Sequence, residues 1–442
     1  MDKQKLVLTI STSLFFVLVL LNLLTVFTPE IGFDALWYHL TLPKLWLIKK
    51  QWFVPGGLLY YSVMPRLTET IYIPLISLFG TVGPKALQFF SGIGSFYLVY
   101  KISRLLKLNH YFALLSGFTF YITWLVSWQS GSAYIDLFRT FIETLALYHF
   151  LQKKWVKGSL LLGLAIGTKW LSLGSLAIYA IVFGPQIIFP TLLIASPWFA
   201  IAYYFTGNPI YPVFEPFLSH TLPAFKDLII RTIFSPYYVS RPVDDFITPL
   251  AGLFVILALA TFLSTTSERR QIALAGILGT VFSLSLNPPS GRFILPYFPA
   301  IVVGASLFIS RQSRVVKEYY SYLLITSFVL IIVLRLTAFK KYIPYLTRQQ
   351  TTNQFLVSLG EKLPDTFVDT DNYDEQNMKN KRILIDKLHN LYYFPYDFDH
   401  TSWAPKDGVY DYLVTKGERQ ENIKGSLLHI NELGIQIYKL DK

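Results

Sequence analysis

LVLTISTSLFFVLVLLNLLTVFTPEIGFDALWYH, residues 6–39, holds an apolar run over 6–28, an acidic exit at Glu30, and then Gly32-Phe33-Asp34-Ala35-Leu36-Trp37-Tyr38-His39. A helical run of that length rises about 35 Å, enough to cross a hydrocarbon core of about 30 Å. The run starts after only five residues and shows no small-residue cleavage site before Glu30, so it reads as a retained span rather than a removed signal peptide. The first polar loop therefore opens with a carboxylate beside an imidazole at the edge of a bilayer. A membrane enzyme would keep acid–base chemistry at such a place.

The rest of the chain repeats the apolar pattern. Its 442 residues are 53% hydrophobic and 15% charged, against about 25% charge in an ordinary soluble domain. The expectation is a polytopic α-helical membrane protein. Further spans are read at 84–104, 110–129, 133–151, a split pair at 157–168 and 170–184, then 185–205, 247–264, 270–286, 292–309 and 318–336, eleven in all. Twenty-nine Tyr and nine Trp suit an interfacial aromatic belt.

Basic loops orient these spans. Lys101/Arg104/Lys107, Lys153/Lys154/Lys157, Arg269/Arg270 and Arg311/Arg314/Lys317 all fall on one side, which the positive-inside rule makes cytoplasmic. The N-terminus then lies on the cytoplasmic side of the plasma membrane, and the loops 29–83 and 206–246 and the tail lie outside. Leu67–Gly80 is apolar but carries Glu69 and Pro74; it reads as an interfacial or re-entrant helix, with a short span as the alternative. The formal charge of +12 is explained by anionic lipid head groups, and no nucleic-acid motif occurs. Residues 1–336 form the membrane domain. Residues 337–442 carry strand signals at Arg382-Ile383-Leu384-Ile385 and Ile435–Leu440 between polar turns, and read as a small extracytoplasmic α/β or α+β domain packed on the membrane surface.

Several polar residues interrupt this plan. The first loop interleaves Asp34, His39 and Glu69 with Trp37, Tyr38, Tyr60 and Tyr61, which suits either a site lined by rings or a plain interfacial anchor. Asp136 opens the 133–151 span, where a carboxylate needs a cation, a cavity or a helix-capping role. Lys169 lies between two half-length runs that meet outside, and either greets an anionic head group or snorkels. Arg292, after Asn287-Pro288-Pro289-Ser290-Gly291, offers a rigid fork for phosphate oxygens or simply anchors the interface. The 206–246 loop, with Tyr211, Glu215 and His220, reads as an ordered lid or substrate-lining segment. Its Asp244-Asp245 pair is more economically a solvated turn than a cation site.

Five stretches in order carry a resemblance: FDALWYHL at 33–40, AYID at 133–136, GLAIGTK at 163–169, TGNPIYP at 206–212 and GRFILP at 291–296. Together they resemble the GT-C superfamily of polytopic glycosyltransferases, in its bacterial branch of aminoarabinose transferases and protein mannosyltransferase-like enzymes. The resemblance implies a GT-C-like fold and transfer, usually inverting, of a sugar from an isoprenoid-phosphate donor to a lipid, glycan or protein acceptor outside the cytoplasm. It makes Asp34 the catalytic carboxylate, with His39, Asp136 and Glu69 supporting catalysis or acceptor binding and Arg292 and Lys169 holding the donor phosphate. Metal-dependent relatives often carry an acidic pair near the position of Asp136. Here one acid stands, which leans against Mg²⁺ or Mn²⁺ dependence and names no metal ligand. The rival function is a lipid or polysaccharide transporter, for which inverted internal repeats would speak; none is evident.

Overall fold

The computed structural model describes residues 3–213, 223–241, 247–264, 267–371, 373, 377–417 and 424–441. Helix α1, Lys3–Val26, buries Val7, Ser11, Phe15, Leu18, Asn22 and Thr25. That spacing of three and four residues draws one stripe down a helix. Its opposite side leaves Phe16, Val17, Leu20 and Leu24 exposed, an apolar face suited to lipid tails.

The loop after α1 holds α2 (Thr41–Lys49) and α3 (Leu67–Phe79). The bundle continues through α4 (Val82–Leu105), α5 (His110–Tyr121), α6 (Trp124–Gln129), α7 (Asp136–Leu151), α8 (Trp155–Thr168), α9 (Ser172–Phe183) and α10 (Ile188–Thr206). Short helices α11 (Phe225–Ile233) and α12 (Ser235–Ser240) precede α13 (Ala251–Ser264), α14 (Ser267–Leu284), α15 (Gly291–Ile294), α16 (Phe298–Ile309) and α17 (Arg314–Phe339).

Among the described residues four stretches are each long and apolar enough to cross a membrane: Lys3–Val26, Pro185–Thr206, Gly291–Ile309 and Arg314–Leu346. The expectation of eleven such spans is corrected to that extent, and the other helices give the reason. The 110–129 run breaks where Thr123 caps α6 by accepting from the Val126 N–H. Helix α4 buries Lys85, Gln88, Ser91 and Ser95, and α7 buries Asp136, Arg139 and Glu143. Helices surrounded by other helices can carry polar groups that a lipid-facing helix cannot. Helices α8 and α9 have 14 and 12 residues, about 18–21 Å of rise. Helix α3, with 13 residues, rises about 20 Å and falls in the same length class as α8 and α9.

The bundle has two distinct ends. At one, Arg269 Nη2 donates to Leu106 O at 3.1 Å, Gln271 Nε2 donates to Val182 O at 3.4 Å, and Lys3 Nζ lies 3.5 Å from the Glu318 carboxylate. These contacts gather the Lys101–Lys107, Arg269–Arg270 and Arg311–Lys317 clusters together. At the other end, Lys85 Nζ donates to Thr28 O at 2.7 Å and Arg231 Nη1 donates to Leu286 O at 3.2 Å.

Beyond α17 come α18 (Ile343–Leu346), α19 (Thr352–Leu359) and a five-stranded mixed sheet: β1 (Ile383–Asp386), β2 (Asp399–His400), β3 (Tyr412–Lys416), β4 (Gly425–Ile430) and β5 (Ile435–Leu440), in the order β2-β1-β3-β5-β4. Strand β1 runs parallel to β2 and β3, while β5 runs antiparallel to β3 and β4. All four β1 residues, Ile383, Leu384, Ile385 and Asp386, are buried, in keeping with an interior strand between β2 and β3. Ile385, Val414 and Ile437 share a core with Tyr38, Leu42, Leu45, Trp46 and Leu59 of the first loop. Lys44 reinforces that junction, its Nζ donating to Tyr392 O at 2.5 Å and Phe394 O at 2.7 Å. Burial pushes the Lys44 ammonium down to about 8.

Candidate active site

Glu30 organises the loop that follows α1. Its Oε1 accepts from the Ile31 and Gly32 N–H groups at 2.9 and 2.7 Å and from Ser132 Oγ at 3.1 Å. Its other oxygen accepts from the Ala133 N–H at 2.6 Å. One carboxylate thus ties 30–34 to the segment that leads into α7. The close approach demands Gly32, because a Cβ there would sit 2.5 Å from the Tyr134 ring and 3.0 Å from Glu30 Oε1. Residues Ala35–His39 then form one π-helical turn, closed by the Leu40 N–H donating to Ala35 O at 2.9 Å. Wide turns of this kind recur at functional sites.

This turn presents Asp34 to a cluster assembled from four distant segments. Arg292 Nη1 donates to Asp34 Oδ2 at 2.5 Å, and Arg292 Nε donates to Asp136 Oδ2 at 2.8 Å. Lys169 Nζ donates to Asp136 Oδ1 at 2.8 Å, and Gln129 Nε2 donates to Asp136 Oδ2 at 3.2 Å. Two carboxylates and two cations alternate, so their formal charges cancel. Asp136 is the first residue of α7 but spends its side chain on these partners instead of capping the helix. Arg292 lies 4.6 Å from the Tyr134 ring centroid, which holds the guanidinium by its face. The Asp34, Arg292 and Lys169 side chains keep 22%, 16% and 17% exposure while Asp136 keeps none, so the cluster is reached through those three side chains and Asp136 lies beneath them. Burial works to raise the Asp34 carboxyl, but Arg292, His39 and Lys169 outweigh it and hold the group below the usual carboxylate range.

His39 and Glu69 sit together, one layer away. His39 Nδ1 lies 2.7 Å from Glu69 Oε1, which also accepts from Arg66 Nη1 at 3.3 Å, and all three side chains are buried. Tyr38 stacks on Tyr61 with ring centroids 4.3 Å apart, Tyr61 stacks on Tyr60 at 4.2 Å, and Trp37 meets Tyr61 edge-on at 5.2 Å. The first loop thus carries an aromatic shelf beside Asp34.

Sequence reading passed over a second buried network on the same helix as Asp136. Arg139 Nε donates to Glu143 Oε1 at 2.6 Å and to Ser172 Oγ at 2.9 Å. Ser175 Oγ donates to Glu143 Oε2 at 2.5 Å and lies 2.8 Å from Tyr297 Oη. The network joins α7 and α9 to the turn after Arg292, fixing the backbones that carry Asp136, Lys169 and Arg292. The signal available in the sequence was an Arg and a Glu four apart inside an apolar run, which is an i,i+4 pair on one helix face.

The 206–246 loop contributes less. Tyr211 sits in a turn at the end of α10, where Asn208 Nδ2 donates to Val213 O at 2.7 Å, and the contacts that assemble the Asp34–Arg292 cluster do not include it. Glu215, His220, Asp244 and Asp245 lie outside the described residues. Arg231 of α11 donates to Asn287 Oδ1 at 3.2 Å and so braces the turn before Arg292. The Asp34 and Asp136 carboxylates are each committed to a cation, and no group of three or more metal-ligating side chains occurs among the described residues. The donor set fits a metal poorly.

No protein-family model and no curated protein matches this sequence. Two solved structures match it nearly end to end. ArnT from Cupriavidus metallidurans in the apo state superposes with a TM-score of 0.64 at 13% identity, covering 97% of each chain. The same protein bound to undecaprenyl phosphate gives a TM-score of 0.63 at 12% identity, covering 99% of this chain and 98% of that one. The chain therefore has the fold of ArnT, a largely α-helical polytopic architecture with a C-terminal mixed sheet.

Proposed function

We propose that this chain is a glycosyltransferase that moves a sugar from an isoprenoid-phosphate donor to an acceptor hydroxyl at the outer face of the plasma membrane. The observation that carries the reading is the Asp34–Arg292–Asp136–Lys169 cluster, built at one end of a bundle whose fold is that of ArnT. That ArnT was solved with undecaprenyl phosphate supports a polyprenyl phosphate as the carrier here.

In the proposed step the acceptor oxygen attacks the anomeric carbon from the face opposite the phosphate. A bond from acceptor oxygen to carbon forms, the bond from carbon to phosphate oxygen breaks, and its electron pair leaves on the phosphate, inverting the centre. Asp34 accepts the hydrogen bond of the attacking hydroxyl and takes its proton as the new bond forms. A carboxylate held below its ordinary range is a weak base, so its main contribution is to orient the hydroxyl and stabilise positive charge at the anomeric carbon. The leaving phosphate needs no strong acid. Arg292 and Lys169 receive its charge, with Asp136 keeping both cations aligned.

Asp34→Asn tests this reading, because it keeps size and removes charge and basicity. Transfer from a polyprenyl-phosphate sugar by purified protein is expected to fall about 10²–10⁴-fold with unchanged membrane abundance and donor binding. Near-normal transfer by a well-folded variant would remove Asp34 from the chemistry.

A further inference from the structure

Beside Tyr134, whose ring also meets Arg292, the protein forms a cavity of about 210 Å³ whose walls include Thr25, Glu30, Lys85, Tyr134, Arg335 and Tyr342. Lys85 and Arg335 keep 1% and 6% exposure, and neither forms a salt bridge among the described residues. Lys85 Nζ donates to Thr28 O at 2.7 Å and Thr28 Oγ1 at 3.2 Å, which uses two of its three protons. Arg335 Nη2 donates to Thr25 Oγ1 at 3.1 Å, and its Nε finds no partner among the described residues. Glu30 offsets only one of the two charges, and its oxygens accept from three backbone N–H groups and Ser132 Oγ instead of from either cation.

Two buried cations against one committed carboxylate leave a net positive cavity with unspent donors, an expensive arrangement unless an anion completes it. That volume gives room for an oxyanion and some solvent. Its depth points to the source. Thr25 lies in the last turn of α1, Lys85 in the first turn of α4 and Arg335 in the last turns of α17, so the cavity sits where the bundle ends and lipid phosphates lie. Val333, Leu334 and Leu336, flanking Arg335, are exposed and apolar, giving acyl chains a surface beside the cations.

We infer that this cavity is a second anion site, separate from the Asp34–Arg292 cluster, that takes the phosphate of a membrane lipid. Tyr134 is shared between the two compartments, so an occupant would steady the ring on which Arg292 rests. The inference does not depend on the transfer reaction, because binding alone reads it.

The test uses the full chain purified in neutral detergent, with thermal unfolding followed as phosphatidic acid, diacylglycerol or inorganic phosphate is added. Phosphatidic acid is expected to raise the midpoint and diacylglycerol to leave it unchanged. Arg335→Gln is expected to weaken apparent phosphatidic acid affinity at least about tenfold, the scale of losing one charge-assisted contact, and Arg335→Lys to retain most of it. Stabilisation by inorganic phosphate alone, lost in Arg335→Gln, would support the same oxyanion site with a soluble occupant. Should Arg335→Gln fail to fold, Lys85→Gln reads the same loss. Equal phosphatidic acid affinity in wild type and in whichever of these variants folds would overturn the inference.

Discussion

At the scale of single residues, the arrangement around Arg292 makes its removal more than the loss of one contact. Asp136 is fully buried, and without the guanidinium it keeps only Lys169 as a cationic partner. Arg292→Ala is expected to weaken donor binding or transfer by about 10–150-fold, the equivalent of 1.5–3 kcal/mol for a charge-assisted hydrogen bond. Arg292→Lys should recover only part, since an ammonium cannot reach Asp34 and Asp136 with one planar fork. Donor titration and single-turnover transfer on the same preparation check both, and an unchanged Arg292→Ala would reduce the residue to an interface anchor. The lowered Asp34 carboxyl also sets a pH expectation. The group is already ionised near the ordinary carboxylate value of about 4, so the acid limb of a transfer-rate profile should fall below that value, and a limb centred near 6 would assign it to another group. Gly32 gives a third residue-scale test: Gly32→Ala drives a methyl into the Tyr134 ring and is expected to cost about 1–3 kcal/mol of stability, read as a lowered thermal midpoint. Asp34, Asp136, Lys169 and Arg292 were legible in the sequence because each stands beside an apolar run where a charge is costly. Glu30 was visible only as the acidic end of a span. Its role depends on Ser132 and Ala133, about a hundred residues away, and no local pattern announces such a contact.

At the scale of elements, the junction between α2 and the sheet is the least expected feature. Sequence reading placed the tail on the membrane surface and found β1 and β5, whose Ile-rich runs stand out. It did not single out β3 or β4, and it had no means of seeing that Tyr38, Leu42 and Trp46 complete the core of the sheet. A helix that looks like an interfacial anchor from composition is half of a folded domain, because its apolar face meets β-strand side chains instead of lipid. Lys44 lies at that junction with two carbonyl partners. Lys44→Met leaves the Tyr392 and Phe394 carbonyls short of a donor and is expected to cost about 1–3 kcal/mol, seen as faster proteolytic release of the tail. The pH dependence has a definite sign. With the Lys44 ammonium pushed down to about 8 in the fold and near 10.4 when unfolded, the unfolded state binds the proton more tightly between those values. Docking should therefore strengthen as pH rises from about 8 to about 10, and Lys44→Met should abolish that slope.

At the scale of the whole molecule, the same end of the bundle carries the Asp34–Arg292 cluster, the Lys85–Arg335 cavity and, through its shared core with the first loop, the C-terminal sheet. The basic clusters around Arg104, Arg269 and Arg314 gather at the opposite end. The proposed transfer needs its buried charged site at one face only, as the Asp34–Arg292 cluster is placed, whereas a transporter must open a polar path to both faces. It also turns the reaction into a question of topology, since a lipid-linked donor displayed outside the cell can meet only an outward-facing cluster. The chain has no native cysteine, so single introduced thiols report cleanly. Asp407, on the tail, and Ser313, before α17, are both exposed. Asp407→Cys is expected to react with a membrane-impermeant thiol reagent in intact cells, and Ser313→Cys only after the membrane is permeabilised. The basic loops predict this through the positive-inside rule, and the packing of the tail on the first loop extends the prediction from the tail to Asp34 itself. The opposite labelling pattern would place Asp34 and Arg292 in the cytoplasm. The proposed outer-face transfer would then have no access to its donor, whatever Asp34→Asn did to the rate.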